Sequence, residues 1–285
     1  GLRLNAKNIA KHLNVKLNDW VSHVDDEKVQ KVIKDNAIVT GGALVSLLNG
    51  EPPNDYDIYF KTQESCLLVA SYYQELWNDR NPDKPQVSIR VDEKSGRITA
   101  FIQSAGVASE SGENGIDDNT EPENEPDVSE TEQEQIEEKP KYRPRYFSTN
   151  AISLSDKIQL VIRFYGSVEE IHTNYDFIHC TCSYDFKENK VSLPPRALEA
   201  IINKELFYTG SKYPLCSIIR SRKFVSRGWS INAGQYLKMA LQLNEMDLKD
   251  FNVFQDQLAG VDSAYFSQAI SQIAKRQDED SSFKV

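Results

Sequence analysis

The sequence is poor in sulfur, has no long apolar run and shows no internal repeat. Its 285 residues include four cysteines, two methionines and three tryptophans. Cys66, Cys180, Cys182 and Cys216 contain no C-x-x-C pair, and the Cys180-x-Cys182 spacing is too short for the usual structural zinc knuckle. Reduced, mostly buried thiols in an intracellular protein are the expectation. No stretch approaches the roughly 18 apolar residues of a membrane-spanning helix. Gly1 to Lys7 lack the apolar core of a signal peptide, so the expected location is cytoplasmic.

Basic residues are absent from one segment. Ser104 to Glu138 holds thirteen Asp and Glu and no Lys or Arg. The rest of the chain carries 33 basic against 30 acidic residues, so the net charge of −10 belongs to this one stretch. Its composition cannot bury enough apolar area to offset its ordering entropy, which predicts a disordered, solvated linker. A second reading is an electrostatic mimic of nucleic acid that screens basic residues elsewhere.

What is present is an alternation of helical and extended patterns. Asn8 to His23 places Ile9, Leu13, Leu17, Trp20 and Val21 near helical spacing, and Asp25 to Lys34 predicts a second helix capped by Asp25 or Asp26. Ala37–Thr40 reads as a buried strand, Gly41-Gly42 as a turn, Ala43–Leu48 as a short helix and Asp55–Phe60 as a half-buried strand. A helix over Gln63–Trp77 precedes a hairpin of Val87–Val91 and Arg97–Gln103. Beyond the acidic segment, order is expected from Tyr146. Strands are expected at Ala151–Leu154, Ile158–Phe164 and Asp176–Phe186, with a Ser-capped helix at Ser167–His172. From Pro195 the pattern is helical: Arg196–Ile202, Leu215–Val225, Ala233–Leu243 and Ala264–Ile273, then a frayed tail.

The chemistry gathers around residues 41–57. Asp55 and Asp57 stand two apart on a strand, so their side chains share a face. Two such carboxylates suit divalent cations at the separation that in-line phosphoryl transfer needs, and a third carboxylate from another strand would complete the cage. A Gly-Gly turn ahead of a helix lets backbone N–H groups approach a phosphate. An isolated Asp-x-Asp is more often two solubilising acids. The Gly-Gly helix at matching distance is what raises the functional reading above that.

The run from Gly41-Gly42-Ala43-Leu44 through Leu47-Leu48-Asn49-Gly50 to Pro53-Asn54-Asp55-Tyr56-Asp57-Ile58 resembles the head signature of polymerase-beta-like nucleotidyltransferases. Bacterial-type CCA-adding enzymes and poly(A) polymerases are the nearest match. Asn174-Tyr175-Asp176-Phe177-Ile178 resembles the family's second core block, and Ile219-Arg220-Ser221-Arg222-Lys223-Phe224 to Gly228-Trp229 its neck. The resemblance covers about residues 30–62 and 145–235. The pattern is also similar to nucleotidyltransferase-like proteins of tailed bacteriophages, which implies a host-cytoplasmic or virion-associated protein.

That resemblance implies an α+β fold: a head with a small mixed or antiparallel sheet, followed by a helical C-terminal domain. N-terminal helices would occupy 1–35, the head 36–103 and 145–192, the acidic insertion 104–144, and the neck and C-terminal domain 193–285. It implies Asp55, Asp57 and Asp176 as catalytic and metal-binding residues. Gly41, Gly42, Ser46, Arg220, Arg222 and Lys223 would bind nucleotide. The cofactors would be two Mg²⁺ ions, or Mn²⁺, with an NTP such as ATP as substrate and an RNA or tRNA 3′ end as acceptor. Residues 220–223 read equally well as a solvated helix face. The family usually has Arg-Asp where this chain has Val45-Ser46, and Arg-Arg where it has Asn174-Tyr175. The Glu-Asp-x-x-Arg element that selects CTP and ATP is missing. These departures keep open a second function, a catalytically degenerate head serving as a structural or nucleic-acid-binding component of a phage particle. His172 and His179 fall near the proposed site; His179 is expected to lie opposite Asp176 as a packing or surface residue, and His12 and His23 are assigned no role.

Overall fold

The computed structural model describes residues 6–103 and 139–257. Helix α1 (Ala6–Ser22) buries Ile9, Leu13, Leu17, Trp20 and Val21 on one face, as their spacing requires. The Trp20 indole donates to the Tyr73 hydroxyl at 2.7 Å inside the core, so the one polar atom of that ring is satisfied. Helix α2 (Glu27–Asn36) is capped by Asp26, whose carboxylate accepts from the Lys28 and Val29 amides at 2.9 and 3.1 Å. Of the two candidate caps, then, Asp26 is the one used. Asp26→Ala should cost about 1 kcal/mol, read as a lower midpoint in chemical denaturation. Asp25→Ala should leave that midpoint in place, because Asp25 contributes only its backbone N–H, to the Tyr72 hydroxyl.

Strand β1 (Ala37–Thr40), helix α3 (Gly42–Leu48), strand β2 (Tyr56–Phe60) and helix α4 (Gln63–Arg80) follow in the order that the sequence pattern predicts. β3 (Gln86–Val91) and β4 (Ile98–Gln103) form the expected hairpin, but as a separate two-stranded sheet. After the acidic segment come β5 (Pro144–Phe147), β6 (Ala151–Leu154), β7 (Ile158–Tyr165), α5 (Val168–His172), β8 (Ser183–Asp185) and β9 (Lys190–Ser192). Helix α6 (Pro195–Asn203), β10 (Glu205–Leu206), α7 (Pro214–Ser226), β11 (Ser230–Ile231), α8 (Ala233–Asn244) and α9 (Phe251–Gln257) complete the described chain. The expected helix at 264–273, the tail and the acidic stretch 104–138 lie outside the described residues.

The fold is α+β. Its main sheet has seven strands in the order β5-β6-β7-β2-β1-β8-β9, larger than the small sheet expected. All pairings in it are antiparallel except β2 with β7. One face carries Val39, Tyr56, Ile58, Phe60, Leu160, Ile162 and Tyr184 into a core shared with α1 to α4. The other face is covered thinly, by a small cluster of Ile38, Tyr59 and Ile171 with Val161, Phe164, Val168 and Tyr175 beside it. That thin cover leaves a stretch of the sheet free to carry polar side chains.

One expected strand is corrected. Asp176–Phe186 is not continuous: only Ser183–Asp185 joins the sheet. The earlier part pairs with the segment 207–209 instead. Ile178 N–H donates to Phe207 O at 3.0 Å and Thr209 N–H to Asp176 O at 2.8 Å. Ile178–Thr181 then closes a 3-10 turn. Alternation of apolar residues did not distinguish pairing with the sheet from pairing with a distant loop.

Candidate active site

The site begins with the register of β1 and β2. These strands run antiparallel with Ile38 opposite Tyr59 and Val39 opposite Ile58. One step further, the same register places Thr40 beside Asp57, and Gly41-Gly42 leave β1 at the end where β2 begins. On the other side of β2, Asp57 pairs with Gln159, and Gln159 with Ser153; on the far side of β1, Thr40 pairs with Ser183. Ser183, Thr40, Asp57, Gln159 and Ser153 therefore form a row across five strands on the thinly covered face. Asp57 is the one ionisable side chain in that row. It is half-buried, and Asp55, two residues earlier and just ahead of the strand, is exposed.

Gly41 has φ +92° and ψ −137°, a conformation that L side chains rarely adopt, so glycine is required there. Gly42 opens α3 and is exposed, and a Cβ built on it would meet nothing within 4 Å. Ser46 is one helical turn further on and so lies below Gly42 on the same face. Ala43, Leu44 and Leu47 anchor the opposite face in the core.

The wall of the site is a buried network. Thr40 is fully buried; its hydroxyl donates to the Cys182 carbonyl at 2.8 Å and lies 2.8 Å from His172 Nε2. Burial holds the His172 imidazole below its ordinary pKa. The Tyr175 ring packs edge-on against Tyr59 at 6.1 Å and beside His172 at 5.1 Å. Its phenol is driven well above the ordinary range by burial first, then by Tyr59 and Asp57. Burial likewise lifts the Cys180 thiol to about 12, with Asp57 and Asp176 adding to the effect. That thiol stays protonated and inert at neutral pH.

Asp176 does not face this row as an open ligand. It is buried, and both carboxylate oxygens are engaged. Arg220 Nη1 donates to them at 3.1 and 3.0 Å, and the Ser217 hydroxyl donates to Oδ2 at 2.9 Å. Among the described residues, no three His, Cys, Asp or Glu groups come together as a metal site. Two features of the structure stand beside the expected three-carboxylate cage. Asp176 is held by α7, and the strand neighbour of Asp57 is the neutral Gln159. Asp55 and Asp57 still suit Mg²⁺, which is commonly held by one or two carboxylates together with substrate phosphates and water.

Helix α7 separates the basic cluster. Ser217, Arg220 and Phe224 share the face turned to the head, with Phe224 packed on Phe177 and His179. Arg220 is therefore committed to Asp176. Arg222 and Lys223 lie off that face and are exposed.

His179 packs as the sequence suggests, though within the 3-10 turn and not on a strand. Its ring sits among Phe177, Phe224 and Trp229, and its Nδ1 is buried without a hydrogen-bond partner. Burial first, and then Arg220, push its pKa from 6.5 down to about 3. The unfolded chain binds this proton near 6.5 and the folded chain only near 3. Stability is therefore full above the first value and is lost as pH falls toward the second. His179→Phe should remove that loss. Its acid-unfolding midpoint, followed by circular dichroism, should lie at lower pH than that of the wild type.

Sequence reasoning placed His172 near the site but missed Thr40, Tyr59, Gln159 and Tyr175 as parts of it. None stands out in composition, and all enter through strand pairing or through the loop that returns to Thr40.

A family model described as "Gabija anti-defense 2 family protein" matches residues 11–204. The Gabija anti-defense 2 protein of Bacillus phage SPbetaL7 is 20% identical over 246 residues, covering 86% of this chain and 46% of that protein. The chain thus spans about half the length of that relative. Among solved structures, the Thermotoga maritima CCA-adding enzyme complexed with tRNA aligns with a TM-score of 0.41 and 11% identity, over 80% of this chain and 45% of that one. A tRNA-processing enzyme with CTP aligns at 0.40 and 12%, over 76% and 46%. The Bacillus stearothermophilus CCA-adding enzyme in complex with CTP aligns at 0.37 and 13%, over 87% and 50%.

Proposed function

The chain belongs to the Gabija anti-defense 2 family, and from that premise we propose that its head is a Mg²⁺-dependent nucleotidyltransferase: the 3′ hydroxyl of an RNA attacks the α-phosphorus of an NTP, a phosphodiester forms, the α–β bond breaks and pyrophosphate leaves. The observation that carries this reading is the placement of Asp57 on β2, with Asp55 two residues ahead of it, at the end where Gly41-Gly42 leaves β1. Asp55 and Asp57 hold the cation. Bound Mg²⁺, or Mn²⁺, supplies charge neutralisation of the triphosphate and lowers the pKa of the attacking hydroxyl. Gly41 and Gly42 let the backbone approach the phosphates without a Cβ in the way, and Ser46 adds a hydroxyl one turn below. Arg222 and Lys223 meet the RNA backbone, while Arg220 fixes the helix that carries them. The work of the protein is mostly positioning, as in other phosphoryl transfers. In this family setting, transfer to the acceptor is the step that counters the host defence.

The test uses the purified chain, NTPs labelled at the α-phosphate, Mg²⁺ or Mn²⁺, total RNA and host protein. Label should enter RNA, only with metal, and not with the Asp55→Ala/Asp57→Ala variant. Label found in protein instead would replace the acceptor. Metal-dependent NTP binding with no label in any fraction would overturn transfer as the function.

A further inference from the structure

A different part of the molecule carries a second binding site. We propose that the groove between α1 and the loops flanking β5 and β7 binds a phosphorylated small molecule of nucleotide size, through Lys11, Lys16 and Lys141 beside the rings of Tyr56 and Tyr142. This inference does not depend on the activity proposed above.

The groove has a volume of about 630 Å³, within the range of small-molecule sites. It opens on the side of β2 opposite Asp57. Tyr56 lies between Asp55 and Asp57 in sequence, so its side chain points to the other face of the strand. The Tyr56 hydroxyl is 2.7 Å from His12 Nε2, which fixes the floor of the groove against α1.

Charge in the groove favours an anion. Lys11, Lys16 and Lys141 line it together with two carboxylates, Asp19 and Asp156. Both carboxylates are already served locally. Asp19 accepts from the Tyr142 hydroxyl at 2.6 Å and has Lys141 at 3.8 Å, while Asp156 accepts from the Tyr142 amide at 3.2 Å and the Ser155 hydroxyl at 3.0 Å. Lys16 makes no ion pair within 4 Å among the described residues. Its ammonium donates to the Asp156 carbonyl at 2.7 Å and rests 5.3 and 4.9 Å from the centres of the Tyr56 and Tyr142 rings. Burial depresses its pKa, with Asp156 and Asp19 acting against that and Lys141 and Lys157 adding to it. An incoming phosphate would supply the missing charge.

The backbone of the rim is an independent observation. Tyr142, Asp156 and Lys157 all lie in the left-handed region, with φ of 55°, 62° and 68°. Such residues are uncommon outside glycine, and clusters of them mark places where the surrounding structure holds a strained shape for a purpose. Two bonds hold this one: Lys157 Nζ donates to Pro53 O at 3.1 Å, and Tyr56 N–H donates to Lys157 O at 2.7 Å. Val15, 63% exposed on the α1 side, gives the groove an apolar wall suited to the flat ring of a nucleoside.

The experiment is isothermal titration of the whole chain with AMP, and separately with inorganic phosphate, in EDTA. Without divalent metal the carboxylate site contributes nothing to binding. AMP should bind saturably, more tightly than phosphate, and equally to the wild type and to Asp55→Ala/Asp57→Ala. Lys11→Glu/Lys141→Glu should weaken it by about tenfold or more, as should Val15→Glu, with thermal midpoints unchanged. Absence of saturable AMP binding to the wild type, equal affinity for phosphate and AMP, or equal loss in the Asp55/Asp57 variant would each overturn the proposal.

Discussion

Asp57→Asn should abolish nucleotidyl transfer, with a rate loss of about 10³-fold or more and no loss of stability. Asp57 is the only charge in a row otherwise made of Ser183, Thr40, Gln159 and Ser153. No other carboxylate stands in that row to take its place. A thousandfold loss is on the order of 4 kcal/mol of transition-state stabilisation, a reasonable share for one ligand of a catalytic cation. Asparagine keeps the shape and one acceptor oxygen, so the strand and its neighbours should be undisturbed. Asp55 is exposed at the strand entrance, where water can partly replace it, so Asp55→Asn should lose less. The measurement is single-turnover transfer across a Mg²⁺ titration, with thermal unfolding alongside. Transfer by Asp57→Asn at the wild-type rate would remove the metal role from this residue.

The parts of this site that could be read from the sequence are those whose geometry is local. Gly41-Gly42 reads as a turn ahead of a helix, and the φ of +92° at Gly41 is one that glycine tolerates and L side chains rarely adopt. Asp57 takes its face from the two-residue repeat of a strand, whatever the strand pairs with, while the expected strand start at Asp55 moves to Tyr56. Ser167 as a helix cap is equally local, and its hydroxyl does accept from the Glu170 amide. Asp176 is the contrasting case. Its partners Ser217 and Arg220 are 41 and 44 residues away, and nothing in its own neighbourhood announces them. Gln159 is similar: its importance is that it stands next to Asp57, and that depends on a parallel pairing formed across the acidic insertion. The head motif therefore picked out the carboxylates, while the identity of their neighbours had to come from the register.

Arg220→Met should be the most destabilising single change at the junction of head and neck, by about 3–5 kcal/mol, against the roughly 5–15 kcal/mol that holds a typical domain together. The reason is the asymmetry of the pair. The Asp176 side chain is 4% exposed and that of Arg220 41%. Removing the arginine leaves a buried carboxylate with only the Ser217 hydroxyl to answer it, whereas removing the carboxylate leaves an arginine that can turn toward water. Asp176→Asn, which keeps the hydroxyl bond, should therefore cost less than Arg220→Met. The Asp176→Leu/Arg220→Met double variant should regain much of the loss, since replacing a buried pair with apolar groups is often close to neutral. Urea denaturation of the three variants gives the ordering directly. An Asp176→Asn variant as unstable as Arg220→Met would show that the charge matters more than its burial. The same series bears on chemistry: if Asp176 serves only to hold α7, the double variant should keep metal-dependent nucleotide binding. A loss of Mg²⁺ affinity in a stable double variant would return Asp176 to the metal site, with Arg220 as the group that yields to the ion.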